Sequence, residues 1–594
     1  MACRRTATPR LRRWSDCKAR EAQLTDALPR SDAAWDGEAL RSARFGDLYY
    51  SVEDGLAEAT HVFVDGNDLR SRFASMQPGD VMTLAETGFG TGLNVAAAIA
   101  AFAERGHRRG RLDVWSCEGF PLGREAFTRE AERSAARWPG IAAILRRLAD
   151  AYPEPRPGQM RLRLGPDVTL TLAFAEAGAA LAEADFAADA FLLDGFAPRT
   201  NPEMWREEVL GALAARGAPG ATLATFTVSG AVRRGLEAAG FALARRGGFG
   251  RKREMLTGRL PGEPPRHASR PTVVLGAGIA GASAAWHLAG SGREVLVLDP
   301  HGPAAGASGN PGGLVTPRLD AQGGPLARFY REAYAYGRLL YTELAPEAVR
   351  RVPARLLLPE KRARGVLATG LWSGEVSLAE DGLDAQGALV VEPPKLVAAL
   401  LANLAIETRR AAPSDFPEAD VIVASPTLAA DLDLRVPVLT GRRGQIDLFE
   451  GPAPAGTVTG HGYAAPLGGK LVAGATYAPA RLDELPGPNP ADSVENAATA
   501  ARLLGRPSGE PVSARAAVRA ATPDRHPIVG RLSPGLLVVS GLGSRGLLTA
   551  PLLGAQLAAE TVGGVRALER SAAQGLAPLR FAERAARRSL AARQ

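Results

Sequence analysis

Residues 272–299 read TVVLGAGIAGASAAWHLAGSGREVLVLD, almost midway along the chain. Val273, Val274 and Leu275 are strand formers that run into glycines at Gly276, Gly278 and Gly281. An Ala-rich helical segment follows, and then a second apolar strand, Val295–Leu298, ends on Asp299. A dinucleotide needs these pieces in this order. Gly276 permits the tight turn, Gly278 lets backbone N–H groups approach a pyrophosphate, and Gly281 allows close helix–strand packing. The helix N-terminus offers its unsatisfied N–H groups to the phosphate charge. Asp299 follows Gly276 by 23 residues, near the roughly 20 expected of a ribose-binding acid. The stretch predicts an α/β fold of the doubly wound type around a nucleotide cofactor.

Upstream, residues 81–102 read VMTLAETGFGTGLNVAAAIAAF, a second strand, glycine loop and helix. Its signature is Glu86, Gly88, Gly90 and Gly92, with Asn94 opening the helix. No GK[ST] follows the glycines, which excludes a triphosphate loop. A strand at 112–116 then closes on Glu118. An acid before alternating glycines and an acid at the next strand end suit a nucleoside-bearing sulfonium. The glycines let the loop pass close under the ligand, and Glu118 accepts from both ribose hydroxyls. The pattern resembles class I S-adenosylmethionine methyltransferases, with a structural glycine turn of another doubly wound sheet as the alternative.

Two later strand ends in the same region carry acids, where ligands of open α/β sheets sit. Val168–Phe174 leads to Glu176, a candidate for the adenine amino group. The run 190–193 ends on Asp194 within FLLDGFAPRTNPEMW. Asp194 would face the transferring methyl, with Phe196, Pro198, Asn201, Pro202 and Trp205 walling the substrate. A plain helix N-cap is the competing explanation for such an Asp. The hairpin-like segment 241–256 carries Arg245, Arg246, Arg251, Lys252 and Arg253, either to grip nucleic-acid phosphates or as a solvated basic turn.

Downstream of Asp299, the small residues around Ser308, Gly309 and Asn310 are placed to wrap a second phosphate or a flavin ring. A mixed α+β region follows over about 320–515, in which 442–445 and 474–477 border the expected substrate cavity. Arg519, Thr522, Asp524 and His526 then precede an apolar strand, Leu536–Ser540, and a glycine loop, Gly541, Gly543, Arg545 and Gly546, opens a last helix. Its N-terminus can stabilise negative charge on a reduced flavin. A nicotinamide dehydrogenase has no use for this closing loop, so FAD is expected.

The chain has 594 residues, too many for one core. Hydrophobic residues make up 46% and charged residues 23%, as in ordinary globular proteins. The formal charge of +8 is mild for this length and compatible with a polyanionic partner. Only Cys3, Cys17 and Cys117 occur, with no CxxC, so neither a disulfide framework nor a metal site is expected. No run of about 18 apolar residues predicts a membrane span. The first twenty residues are basic and lack an apolar core, which argues against a secretory signal. The expected organisation is a basic disordered extension or start-site artefact over 1–41, a methyltransferase domain over 42–258, a Pro- and Gly-rich linker over 259–270, and a flavin domain over 271–594.

Six stretches carry a more specific resemblance. ETGFGTGLN (86–94), LLDGFAPRTNPEMW (192–205) and GFGRKREML (248–256) resemble the methyltransferase half of the bifunctional tRNA wobble-uridine enzymes of the MnmC family. LGAGIAGASAAWHLA (275–289), GASGNPGGLVTPRL (306–319) and SGLGSRGLLTAPL (540–552) resemble that family's flavin-dependent half, of the amino-acid-oxidase-like type. The resemblance implies an FAD-dependent removal of the carboxymethyl group from 5-carboxymethylaminomethyl-(2-thio)uridine. An S-adenosylmethionine-dependent methylation of the exposed amine would follow. It implies tRNA as partner, and the chemistry then asks for Asp194 as the base of methyl transfer and Arg545 or Arg519 on the substrate carboxylate. The sparse cysteines suit a cytoplasmic location, and a monomer is expected. Departures are Glu176 where a shorter Asp is expected and Gly119 where a bulkier residue is usual. The rival reading is a glycine- or sarcosine-oxidase-like flavoenzyme fused to an unrelated methyltransferase.

Overall fold

The computed structural model describes residues 28–29, 31–36, 39–51, 53–105, 110–250, 252–263, 270–403, 405–410, 419–427 and 439–591. Most of the residues expected as a basic extension lie outside these, but Ala33–Asp36 and Ala39–Ser42 pair as an antiparallel hairpin. Ordered structure therefore begins before position 42. Arg133 of the helix Arg124–Arg137 lies 3.9 Å from the Trp35 ring of that hairpin.

Eight strands form the first sheet, in the order Gly158–Arg163, Val168–Phe174, Arg111–Glu118, Val81–Thr87, Ala188–Leu193, Gly217–Thr225, Glu254–Arg259, Ala242–Gly247. The five from Val168–Phe174 to Gly217–Thr225 run parallel, and the outer strands antiparallel. Such a centre is covered on both faces, so its strands read as unbroken apolar runs. Alternate side chains feed separate cores: Leu84, Val114, Leu172 and Leu192 one, and Ala85, Trp115, Ala173 and Leu193 the other. Chain order reverses between Val81–Thr87 and Ala188–Leu193, which places a crevice beyond their carboxyl ends.

The second half holds two sheets. The described strands of the nucleotide sheet run Ile406–Arg409, Val295–Leu298, Thr272–Leu275, Asp420–Val423, Leu536–Ser540, Ile528–Ser533. Here too the order reverses, between Thr272–Leu275 and Asp420–Val423. The other sheet of this half is built from strands between Gly313–Val315 and Pro511–Ala521. The expected substrate region is therefore not continuous: Ile406–Arg409 and Asp420–Val423 leave it and return to the nucleotide sheet. The expected linker is also shorter than 259–270. Leu260 donates to the Ala221 carbonyl, and Gly220 donates to that of Pro261, so both residues stay tied to the first sheet. Residues 264–269 lie outside the described set.

The halves are fastened by buried polar contacts. Asp113, 1% exposed, accepts from Arg111, from Arg161 and from the backbone N–H of Val565. Burial opposes its ionisation, yet the two guanidiniums hold its pKa below the usual carboxylate value. Glu569 accepts from Arg328 and from the Gln159 backbone, and Glu332 from that of Arg161. The first sheet's edge strand Gly158–Arg163 thus docks on the second half.

Candidate active sites

Beyond the crevice of the first sheet opens a cavity of about 1180 Å³. Gly88, Gly90, Glu118, Glu176 and Asp194 all line it, as the sequence anticipates. Gly88 and Gly90 adopt positive φ of 78° and 53°. A Cβ on Gly88 would lie 3.2 Å from Gly195 Cα, so the two strand ends meet only through glycine. Glu118 accepts from Gly90 N–H and Phe120 N–H, both at 2.8 Å. Burial raises its pKa, and these donors oppose the rise. A carboxylate has lone pairs left for two ribose hydroxyls, so the residues present fit a nucleoside-bearing ligand.

Two expected contacts are not brought to the cavity. Glu86 is fully buried beneath it and accepts from the Ser116 hydroxyl. Gly92 caps the helix Leu93–Ala103 at φ 74°, where a Cβ would lie 2.9 Å from the Phe89 ring. Glu176 is exposed at the start of Ala177–Glu183, making no side-chain cap bond. Gly119 faces it, and a Cβ there would be 3.5 Å from Glu176 Cα.

Asp194 is held on both oxygens. Asn94 Nδ2 donates to Oδ2 at 2.6 Å, and Gly195 N–H to Oδ1 at 2.8 Å. It caps no helix, which removes the N-cap alternative: its bonded partners are Asn94 and the next residue. Burial raises its pKa to about 6, against the two hydrogen bonds and the charge of Lys252, with Glu58 adding to the rise. A carboxylate so placed is a base near neutral pH. Around it, Phe45 stacks on Phe196 with centroids 4.7 Å apart, and Phe120 meets Phe45 edge-on at 5.3 Å. Phe226 and Phe249 also line the cavity. Among the expected wall residues, Asn201 lines it, while Trp205 is buried behind, donating to the Phe196 carbonyl.

The basic hairpin divides. Lys252 lines the cavity, paired with Glu58 at 2.8 Å and 4.1 Å from the Phe226 ring centre. Arg245 pairs with Glu254, and Arg246 donates to the Asp65 carbonyl. Arg253 is exposed. Arg251 lies outside the described residues.

In the second half, Gly276 turns the chain at φ 110°, and a Cβ on Gly281 would lie 1.8 Å from the Gly276 carbonyl oxygen. Only glycine lets helix Ile279–Gly290 start this close to the strand. Gly278 is its N-cap. Asp299 Oδ2 accepts from Ala277 N–H at 2.9 Å, and Oδ1 from His301 and Gly302. Ser308 Oγ accepts from Ile279 N–H at 2.9 Å, which sets this residue at the helix N-terminus. Gly309 and Asn310 are fixed by Arg515, a residue no motif marks: it donates to Asn310 Oδ1 and to the carbonyls of Ala305 and Gly306. Gly541 and Gly543 turn at φ 67° and 55°. A Cβ on Gly543 would meet nothing within 4 Å, leaving open space before the helix Gly546–Val562. Strand, turn, helix and acid fit a dinucleotide.

Beside that loop stand cations. Burial, and then the charge of Arg318, depress the pKa of Arg545. Arg318 lies over Tyr330 at 3.9 Å and approaches His526 Nδ1 at 3.2 Å. Guanidinium only donates, so Nδ1 is the acceptor; burial and Arg318 keep this ring's pKa low. Arg519 stands opposite Arg442 across two antiparallel strands. Its guanidinium fills the space over Gly444, where a Cβ would come within 2.1 Å. The sequence marks Arg519 and Arg545 as carboxylate candidates, whereas Arg318, inside the stretch 306–319, is given no role there. Among the described residues no metal-binding cluster occurs, and no helix is long and apolar enough to cross a membrane.

Residues 139–261 match a family described as S-adenosyl-L-methionine-dependent methyltransferase. Residues 272–405 and 360–560 match one described as FAD dependent oxidoreductase. The chain is 38% identical over 576 residues to the tRNA 5-methylaminomethyl-2-thiouridine biosynthesis bifunctional protein MnmC of Maricaulis maris, across 92% of this chain and 95% of that protein. With the protein of the same name from Caulobacter vibrioides it shares 39% over 577 residues, across 90% and 95%. Among solved structures, iminodiacetate oxidase from Chelativorans is 23% identical, covering 52% of this chain and 98% of its own at a TM-score of 0.43.

Proposed function

The chain belongs to the MnmC family of bifunctional tRNA 5-methylaminomethyl-2-thiouridine biosynthesis proteins, and from that premise we propose how its two sites divide the work on a wobble uridine. The second half removes the carboxymethyl group from 5-carboxymethylaminomethyl-(2-thio)uridine. The first methylates the resulting primary amine. FAD supplies hydride acceptance and S-adenosylmethionine the methyl group. The observation that carries the division is Asp194, held at a sheet's switch point in an aromatic cavity large enough for a nucleoside cofactor and an extruded base.

In the methyl-transfer site an alkylammonium has no lone pair to attack with. Asp194 takes its proton and orients the nitrogen, a contribution on the order of 10²–10⁴ in rate. Phe45, Phe120 and Phe196 offer π-faces to a splayed base, the way unpaired RNA is read. In the oxidoreductase site, Arg545 beside Arg318 holds the substrate carboxylate, with Arg519 as the second candidate. A guanidinium fork suits a carboxylate bidentately. Neutral His526 adds no opposing charge. The exposed Arg253 and its hairpin contact tRNA phosphates. The protein acts in the cytoplasm as a monomer, with no resident metal.

The test is nucleoside mass spectrometry of tRNA bearing the carboxymethylaminomethyl group, with and without S-adenosylmethionine. Loss of the carboxymethyl group without the methyl donor, and gain of one methyl with it, are expected. Unchanged tRNA together with oxidation of free glycine or sarcosine would favour a small-molecule oxidase instead.

A further inference from the structure

Near the end of the chain, Arg580 is 3% exposed, and every N–H of its guanidinium is used. Nε donates to Asp524 Oδ2 at 3.0 Å and Nη2 to Asp524 Oδ1 at 2.9 Å, a bidentate pair. Nη2 also donates to the His526 carbonyl at 2.9 Å. Nη1 donates to the carbonyls of Leu576 and Ala577, which fixes Arg580 where the helix Arg570–Leu576 has ended and Arg580–Ala591 begins. Buried and fully bonded within the protein, this guanidinium has no donor left for a substrate.

The segment so held, 522–526, needs holding. Arg525 has a φ of 59°, in the left-handed region that side chains disfavour. Asp524 accepts from the His526 N–H across that residue. On the other side Thr522 packs against the closing glycine loop, where a Cβ on Gly541 would come within 2.6 Å of Thr522 Cγ2. The His526 ring then faces the cations of the oxidoreductase site. Its Nδ1 is the acceptor for Arg318 Nη1 at 3.2 Å and for the Tyr330 hydroxyl at 3.1 Å.

Two guanidiniums repel, so Arg318 stays beside Arg545 only while something holds it. Its holds are the Tyr330 ring at 3.9 Å and the His526 acceptor. A shift of the loop by about 1 Å would take that acceptor out of hydrogen-bonding range. Arg584, one turn further along the last helix, reaches the same Asp524 at 3.1 Å, but its side chain is half exposed, where an ion pair contributes little.

We propose that Arg580 is a positioning residue for carboxymethyl removal: it clamps the loop 522–526 and so keeps the His526 ring where it fixes Arg318 beside Arg545. The inference rests on the reading that Arg545 and Arg318 hold the substrate carboxylate.

The test is a double-mutant cycle on the full-length, flavin-loaded protein, with tRNA bearing the carboxymethylaminomethyl group as substrate. Arg580→Ala is expected to raise KM about tenfold, the loss of one charge-assisted hydrogen bond to the carboxylate, with kcat within about twofold. Arg318→Ala should do the same. The double variant should be no worse than Arg318→Ala alone, because the two residues act through one bond. Arg580→Lys keeps the charge without the fork; it should raise KM by less and be silent in the Arg318→Ala background. Arg584→Ala removes an exposed charge from the same helix and should leave KM within about twofold. Flavin absorbance, and methylation of tRNA carrying the free aminomethyl group, show that both halves of each variant have folded. Effects that multiply to about a hundredfold in the double variant overturn the proposal, since Arg580 then acts apart from Arg318. An unchanged KM in Arg580→Ala overturns it equally. If Arg580→Ala loses its flavin, the cycle with Arg580→Lys decides by the same two outcomes. A silent Arg318→Ala sinks the reading of the carboxylate site and takes the proposal with it, and wild-type protein that leaves this tRNA unoxidised sinks the functional reading as a whole.

Discussion

The two glycine turns are built alike and surrounded oppositely. Each follows a parallel strand at the point where its sheet reverses order, and each is answered by an acid on the next strand, Glu118 or Asp299. Around the first turn the cavity's charges are mostly acids, with Glu176, Asp194 and Glu58 among them, Lys252 tied to the last, and Arg44, Arg199 and Arg206 on its wall. Around the second stand Arg318, Arg519 and Arg545, with neutral His526. The substrates explain the difference. A sulfonium and an ammonium are cations, whereas an N-carboxymethyl group carries a carboxylate. Similar backbones were given opposite fields, and chemistry follows the field more than the fold.

The largest effect expected tests the acidic side. Asp194→Ala should lower methyl transfer by about 10³-fold or more, leaving carboxymethyl removal intact, so that aminomethyl-uridine accumulates in the mass spectrum. Loss of both steps would show that the sites are not independent. The same carboxyl fixes a pH dependence. Its folded pKa, raised to about 6, lies above the ordinary 3.8. Its contribution to stability is thus fully present below pH 3.8 and lost as the pH rises through 6. Asp194→Asn should therefore melt higher than wild type at pH 8, by on the order of 2–3 kcal/mol for a shift of about two units, and no higher at pH 3.5. An equal gain at both pH values would mean that the carboxyl is not strained by burial.

Next comes the seam that joins the two fields. Asp113→Ala leaves Arg111 and Arg161 buried without their shared partner, a loss on the order of 3–5 kcal/mol. Calorimetry should show a lowered midpoint, and the variant should lose both activities on mild heating. An unchanged midpoint would place the hold between the halves at Glu569 and Glu332.

On the cationic side, Arg545→Ala should raise KM for the carboxymethyl substrate about a hundredfold, the cost of losing one bidentate pair. Arg318→Ala should cost about tenfold, and methyl transfer should not change in either. If Arg519→Ala exceeds both in rapid-mixing measurements of flavin reduction, the carboxylate sits over Gly444 instead.

What the sequence disclosed, and what it hid, follows from how each residue acts. Glycines forced by backbone contact, such as Gly88, Gly276 and Gly281, leave a fixed spacing that can be read directly. Asp194 and Glu118 were legible because strand ends are where ligands sit. Glu86 was misplaced because every residue from Met82 to Thr87 is buried, so alternation gave no clue to which face it takes. Arg515 carries no local signature, and Arg318, though inside the stretch 306–319, has nothing beside it in sequence that gives it a role. Arg318 lies 208 residues from His526 and Arg515 205 from Asn310, and only the closed fold brings them together. The discontinuous substrate region was hidden for the same reason, since Asp420–Val423 is apolar like its neighbours and only its parallel partners reveal its sheet.

The smallest effect expected lies in the hairpin, which spans both kinds of field. The five basic residues look equivalent in sequence, yet the described ones differ in place. All four are exposed, but Lys252 lines the cavity against Glu58, and Arg245 and Arg246 are engaged with Glu254 and the Asp65 carbonyl. A residue that meets phosphate weakens binding uniformly across tRNA sequences and reduces the salt dependence of affinity by about one unit of slope. Arg253→Ala should do this, with a loss of a few fold in tRNA affinity and no change in kcat. Lys252→Ala should do the reverse. It leaves the salt slope alone and removes a positive charge that favours ionised Asp194, so the acid limb of methyl transfer moves to higher pH. Equal salt slopes for the two variants would mean that the hairpin is one solvated basic surface, and that the division between cavity and tRNA contact does not run through it.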